Sequence, residues 1–202
     1  MEQNPYQAPT AAPLELESPS SFYVVGITKF ICMTVITCNL YLIYWFYRNW
    51  SLQKPQMEGN IWPAMRGLFS IFFTHSLFAR ISGQWTLKLP QGDWDYKTPA
   101  TLYVVISVVG NLIGNFPAEG SLAWLSIGLP LLSIIVIAAI LVPVQRRINE
   151  ACGIVSEGDT SALYDANTRI TFANAVWLLF GALLWVSMLL GLLVLLFPQA
   201  TL

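Results

Sequence analysis

The sequence predicts an all-α fold, that of a polytopic membrane protein with about four transmembrane helices. Three observations support this prediction. Of the 202 residues 55% are apolar, only 10% are charged, and the apolar residues come in long uninterrupted runs. An average soluble domain has roughly 25% charged residues and alternates apolar with polar positions. Lipid therefore replaces much of the water that would otherwise surround the chain.

Each spanning helix is justified by its length. About 20 mostly apolar residues cross roughly 30 Å of hydrocarbon, and somewhat fewer are enough when flanking side chains reach the interface. Four runs of the chain meet this condition, and they are predicted as spans at about 30–47, 101–116, 121–144 and 172–197.

The first residues, 1–21, contain four prolines and three glutamates and no lysine or arginine. This composition predicts a disordered, Pro-rich tail. The rest of the chain, 22–202, is predicted to form a single helical membrane domain.

A fifth apolar run, 67–79, is short because Arg66 and Arg80 bracket only 13 residues, about 20 Å of helix. Its polar and apolar residues fall largely on opposite sides of a helix. We therefore predict an interfacial or re-entrant helix over 62–82, with a five-span protein as the alternative.

The positive-inside rule compares the two arrangements. Four spans place nine lysines and arginines on one side and Lys29 alone on the other, whereas five spans divide them seven to three. The rule favours four spans, with both chain termini outside.

The stretch LIYWFYRNW, 42–50, combines aromatic rings with one arginine. Trp and Tyr prefer the headgroup level of a bilayer, and an inside arginine fits beside them. We interpret the stretch as an interfacial aromatic belt made of Tyr41, Tyr44, Trp45, Arg48 and Trp50.

The runs TCNLYLIYWFYRNWSLQK and NIWPAMRGLFSIFFTHSLF follow a tail that carries NPYQAP. Together they resemble a family of small bacterial inner-membrane proteins catalogued as a domain of unknown function. The resemblance is clearest over 22–82, and it implies a bacterial plasma-membrane location without implying an activity, a cofactor or catalytic residues. Asn39 stands where that family usually has a glycine in a turn, which argues against a sharp kink there.

Two further sets of residues are candidate sites. Ser107, Gly110 and Gly114 form a small-residue strip in an apolar run, which lets either the 121–144 helix or a second copy of the chain approach closely. The generally higher glycine content of membrane helices is the alternative explanation. Arg146, Arg147 and Arg169 lie beside predicted span ends, where basic residues attract anionic headgroups or a protein partner. Simple topogenic charge explains the three arginines equally well.

The sequence offers little chemistry for catalysis or metal binding. His75 is the only histidine and has no nearby carboxylate, so a metal site lacks ligands. Asp93 and Asp95 suit a solvated loop better than a catalytic pair, and GIVSEG, 153–158, suits a turn with Gly153 as the helix C-cap. The cysteines 32, 38 and 152 do not form a disulfide pattern. We predict no catalytic residues, no metal site and no cofactor.

Ten basic residues nearly balance eleven acidic ones, which excludes the basic surplus of a nucleic-acid binder. We predict a non-enzymatic multi-pass protein of the bacterial inner membrane that acts through membrane lipids, a protein partner or a homo-oligomer. The alternative is a small permease or channel subunit, and a membrane enzyme is the third hypothesis.

Overall fold

The computed structural model describes residues 21–89, 92, 94–115, 123–154 and 167–197. Within these ranges the chain is helical and has no strand. The predicted tail, apart from Ser21, lies outside the described residues, as do Asp93 and most of GIVSEG. The helices are α1 (Ile27–Ile36), α2 (Leu40–Gln53), a 3-10 turn (Lys54–Gln56), α3 (Pro63–Leu68), α4 (Ser70–Lys88), α5 (Lys97–Gly114), α6 (Leu125–Ala151) and α7 (Phe172–Leu196).

Three of the described helices, α5, α6 and α7, are long and apolar enough to cross a membrane. They correspond to the predicted spans 101–116, 121–144 and 172–197. The all-α fold is thereby confirmed over the described residues, and the three helices support the predicted membrane character. Gly153, with φ +88°, follows the end of α6 in the left-handed conformation, which confirms its predicted role as a helix cap.

The prediction of one spanning helix over 30–47 is wrong, because the chain reverses direction there. α1 has 10 residues, α2 has 14, and they fold back on each other. The Phe30 ring lies 5.8 Å from the Trp45 ring between centroids. At the open end, the backbone N–H of Tyr23 donates to Asn49 Oδ1 over 3.1 Å. Both ends of this helical hairpin (residues 27–53) therefore lie on the same side of the molecule.

Two consecutive left-handed residues make the turn, Cys38 with φ 52° and Asn39 with φ 67°. The N–H of Asn39 donates to the carbonyl of Thr34, and the N–H of Cys38 to that of Val35, which closes α1 as a Schellman-type cap. Thr37 Oγ1 then accepts the N–H of Tyr41 at the start of α2. The expectation that Asn39 argues against a kink is wrong. Asparagine is the residue after glycine that most readily adopts this conformation.

The hairpin turn lies against the middle of α7. Trp185 Nε1 donates to the carbonyl of Val35 over 2.9 Å, and Gly181 lies directly against the backbone of Ile36. Gly181 is nine residues from the start of α7, about 14 Å along a helix and roughly half of the hydrocarbon thickness. The hairpin thus reaches about halfway along a helix that is long enough to span.

An extended segment, 22–26, precedes α1 and is buried although it is not helical. Side-chain amides satisfy its backbone groups. Asn149 Nδ2 donates to the carbonyl of Val25, Gln145 Nε2 to that of Tyr23, and Asn167 Nδ2 to that of Val24. Gln145 Oε1 also accepts the indole N–H of Trp45. This buried amide network joins the start of the fold to α2 and to the end of α6.

The predicted helix at 62–82 is two helices, α3 and α4, which are separated at Phe69. Arg66 joins them to α2, because its guanidinium lies 4.3 Å from the Trp50 ring centroid and 4.9 Å from that of Phe73. α4 is 19 residues long, but α5, α6 and α7 are the described helices that meet the length and hydropathy of a span. This outcome argues against the five-span alternative.

Candidate functional site

A cleft of about 400 Å³ lies between the helical hairpin and the first turns of α7. Pockets that hold small molecules are typically about 300–1,000 Å³. The hairpin contributes charged, hydroxyl and apolar side chains, and the segment 167–177 forms the opposite wall. The lining residues are Tyr23, Lys29, Met33, Thr37, Leu40, Tyr41, Tyr44, Asn167, Thr171, Ala173, Asn174 and Trp177.

Lys29 is the charged residue of the cleft and is only 6% exposed. Its ammonium group donates to the backbone carbonyl of Arg169 over 2.8 Å and to Asn167 Oδ1 over 3.2 Å. Both acceptors are neutral, and none of the described carboxylates forms an ion pair with Lys29. An ammonium has three donor hydrogens. The cleft therefore contains a buried positive charge that the described residues do not neutralise.

Three tyrosines lie beside this charge. Tyr23 donates to Asn167 Oδ1 over 3.4 Å, and its ring meets that of Tyr44 edge to face at 5.8 Å. The hydroxyl oxygen of Tyr41 is buried and lies near the hydroxyl of Tyr23, but it makes no hydrogen bond of good geometry among the described residues. Buried polar atoms are nearly always hydrogen-bonded, so an unpaired hydroxyl in a cleft is an unusual feature.

The two ends of the cleft differ in charge. Lys29 and Asn167 lie near the start of α1 and before α7, at the open end of the hairpin. Leu40 lies beside the hairpin turn, and Trp177 lies one and a half turns into α7. The charge of the cleft therefore lies at the open end of the hairpin, and the end near the turn combines apolar side chains with the hydrogen-bonded hydroxyl of Thr37.

Three of the five residues of the predicted aromatic belt do not face the surface of the protein. Tyr41, Trp45 and Trp50 are buried in the protein core, at 7%, 0% and 0% exposure. Tyr44 is exposed, and Arg48 is half-buried with its guanidinium 5.8 Å from the Tyr23 ring centroid. Because α2 is one arm of a packed hairpin, most of its rings meet other helices.

The small-residue strip of α5 faces α6. A Cβ at Gly110 would lie 3.0 Å from Ser133 Oγ, and a Cβ at Gly114 would lie 3.1 Å from Pro130 Cγ. Ser107 is half-buried on the same helix. Of the two partners expected from the sequence, the structure places the neighbouring helix against this strip.

The three candidate arginines differ in their surroundings. Arg146 and Arg169 are exposed. Arg147 forms an ion pair with Glu150 at 3.0 Å, and its guanidinium lies 4.3 Å from the Trp85 ring centroid. The indole N–H of Trp85 donates to the same Glu150 oxygen over 2.7 Å. Arg147 therefore has structural partners within the protein that leave it less available to an external ligand.

Arg147→Gln is expected to lower the free energy of unfolding of the detergent-solubilised protein by about 1 kcal/mol, because it removes a half-exposed ion pair and a cation–π contact. Arg146→Gln is the matched control, since the neighbouring arginine is exposed, and we expect almost no change. Unfolding titrations of both variants measure the difference. Equal stability of the two variants would contradict the structural role of Arg147.

The sequence pattern does not predict the cleft. It gives Lys29 a role only in the count of basic residues on each side of the membrane, and it does not single out Asn167 or Tyr23. A lysine within a largely apolar stretch, 22–47, was the available signal.

Of the other sequence candidates, His75 is exposed on α4 and shares a hydrogen bond with Thr101. Asp95 caps α5, and the hydroxyl and N–H of Thr98 hold the pKa of its carboxyl below the usual value.

Comparisons of the chain with protein-family models, with curated proteins and with solved structures found no match. Proposals about its function therefore depend on the cleft and on the arrangement of the helices.

Proposed function

We propose that the protein is a multi-pass protein of the bacterial inner membrane that acts without catalysis, by binding a lipid or a protein partner. The observation that carries this proposal is the cleft with the buried ammonium of Lys29. Its polar groups are an ammonium, hydroxyls and amides, which suit binding by charge and hydrogen bonds. The three helices that are long and apolar enough to cross a membrane support the membrane location.

The proposed topology has three spans, α5, α6 and α7, and one re-entrant hairpin, α1–α2. The hydrogen bond from Lys29 to the carbonyl of Arg169 supports this topology, because the nine-to-one partition would put these two residues on opposite sides of the membrane. With the hairpin re-entrant, all ten lysines and arginines of the chain fall on one side, which fits the positive-inside rule better than either earlier count. The N-terminus then lies inside and the C-terminus outside.

Topology labelling tests this arrangement in spheroplasts of a bacterial host. We expect an epitope tag before Met1 to be protected from external protease, and a cysteine at the exposed Gly59 to be shielded from an impermeant thiol reagent. A cysteine at Glu119, in the α5–α6 link, is expected to react. The native cysteines are first replaced by serine. An accessible tag would favour four spans, and a reactive cysteine at position 59 would favour five.

A small permease or channel subunit is the second candidate, and the hairpin favours it. Chain reversals at membrane depth occur where the backbone is buried in protein or lines a water-filled cavity, as in channels and transporters. Flux of ions and small polar solutes from proteoliposomes tests this candidate. Leakage equal to that of protein-free liposomes would contradict transport. Saturable flux would show that the protein does more than bind a lipid or a protein partner.

A further inference from the structure

We propose that the cleft binds the anionic phosphate headgroup of a membrane lipid, with the ammonium of Lys29 and the hydroxyl of Tyr41 as its polar contacts. The lipid's acyl chain would extend towards Leu40 and Trp177. This inference rests on the proposed membrane placement, because it requires the cleft to meet the bilayer.

The charge of the cleft selects the class of ligand. Lys29 is buried, and its ammonium meets two neutral oxygens and no described carboxylate. A buried charge is expensive unless it is paired and hydrogen-bonded. A phosphate oxygen satisfies both conditions, because it is negative and accepts strong hydrogen bonds. A neutral or zwitterionic headgroup balances the charge less well.

The hydroxyl of Tyr41 supplies a second and independent indication. The side chain is only 7% exposed, lines the cleft, and makes no hydrogen bond of good geometry with the described residues, although the Tyr23 hydroxyl lies near it. A donor in this state is satisfied when an acceptor enters the cleft. Because Tyr41 is on α2 and Lys29 is on α1, one bound anion would join the two arms of the hairpin.

The position of the charge favours a lipid over a free anion. The charge of the cleft is at the open end of the hairpin. Apolar side chains such as Leu40 line the end near its turn, together with the hydroxyl of Thr37, which is already hydrogen-bonded within the hairpin. The hairpin turn packs halfway along α7. An anionic amphiphile enters such a cleft with its headgroup at the membrane surface and its chain in the hydrocarbon, whereas inorganic phosphate leaves the apolar half unused.

Binding of dioctanoyl phosphatidylglycerol to the purified full-length protein in detergent tests the proposal, with native mass spectrometry as the readout. We expect Lys29→Gln to weaken binding by roughly 10- to 100-fold and Tyr41→Phe by several-fold, as for a lost charged and a lost neutral hydrogen bond. Lys54→Gln, which makes the same change at an exposed lysine outside the cleft, is the matched control and is expected to bind like the wild type. Dioctanoyl phosphatidylcholine is expected to bind at least about tenfold more weakly.

Tyr41→Phe keeps the ring in place, so it tests the hydroxyl even if Lys29→Gln folds poorly. Wild-type affinity in Tyr41→Phe and in a folded Lys29→Gln would overturn the proposal. Inorganic phosphate that displaces the lipid at equal concentration would overturn the assignment of a lipid as ligand. Topology labelling of the same variants separates the two proposals. A labelling pattern that differs from the three-span topology contradicts the proposed membrane placement. The expected labelling pattern together with no preference for the anionic lipid contradicts only the headgroup site.

Discussion

Gly181→Ala in α7 is expected to lower the free energy of unfolding by about 3 kcal/mol, because the added methyl group cannot fit against the hairpin turn. A Cβ at this position would overlap the carbonyl oxygen of Ile36, and it would lie 2.7 Å from the carbonyl carbon of Ile36 and 2.8 Å from Thr37 Cα. These atoms belong to the backbone, which moves less easily than the end of a side chain. Overpacking typically costs about 1–3 kcal/mol, and a backbone obstacle places the cost at the upper end.

Gly191→Ala is the matched control, because it adds the same methyl group to the same helix. A Cβ there would lie 3.3 Å from Ile127 Cδ1, the flexible end of a side chain. We expect a change below about 1 kcal/mol, since alanine also favours a helix by up to about 1 kcal/mol over glycine. Unfolding of both variants in mixed micelles with increasing dodecyl sulfate measures the difference. Equal stabilities would show that α7 does not rest on the hairpin turn as described.

Asn149→Leu is expected to lower the free energy of unfolding by about 3–5 kcal/mol, because it removes the centre of the buried amide network. Asn149 is 6% exposed. Its amide donates to the carbonyl of Val25 over 3.0 Å and accepts from Gln145 Nε2 over 2.7 Å and from the N–H of Val25 over 3.4 Å. Leucine has a similar size but leaves these groups unpaired, and each unpaired buried group costs about 1–3 kcal/mol.

Asn115→Leu is the control for the same chemical change at an exposed amide. Asn115 follows α5, and its side chain donates locally to the carbonyl of Asn111. We expect a loss below about 1 kcal/mol, as for most exposed positions. Protease sensitivity near the N-terminus gives a second measurement, because loss of the network in Asn149→Leu is expected to release the extended segment 22–26. If Asn149→Leu unfolds more easily but its segment 22–26 still resists protease, the loss of stability does not come from release of this segment.

The long apolar runs at 101–116, 121–144 and 172–197 predicted three helices that the structure contains. Composition is sufficient for this, because a spanning helix satisfies its own backbone groups and needs only apolar side chains along its length. The same reasoning failed at 30–47. This run is as apolar as a span, but the reversal at Cys38 and Asn39 is a local backbone event that hydropathy does not record.

The candidate site also combines properties that the sequence predicts with contacts that only the tertiary structure shows. The sequence determined that the protein is helical, that three of its helices are long and apolar enough to cross a membrane, and that its basic residues could be gathered on one side, since these properties follow from composition and order along the chain. Only the tertiary structure decided that Trp45 and Trp50 are core residues and that Lys29, Tyr41 and Asn167 share a cleft. Lys29 and Asn167 are 138 residues apart in sequence, and their contact depends on how α1 and α7 pack. Local patterns carry no information about contacts of that separation, because many helix arrangements bury the same apolar faces.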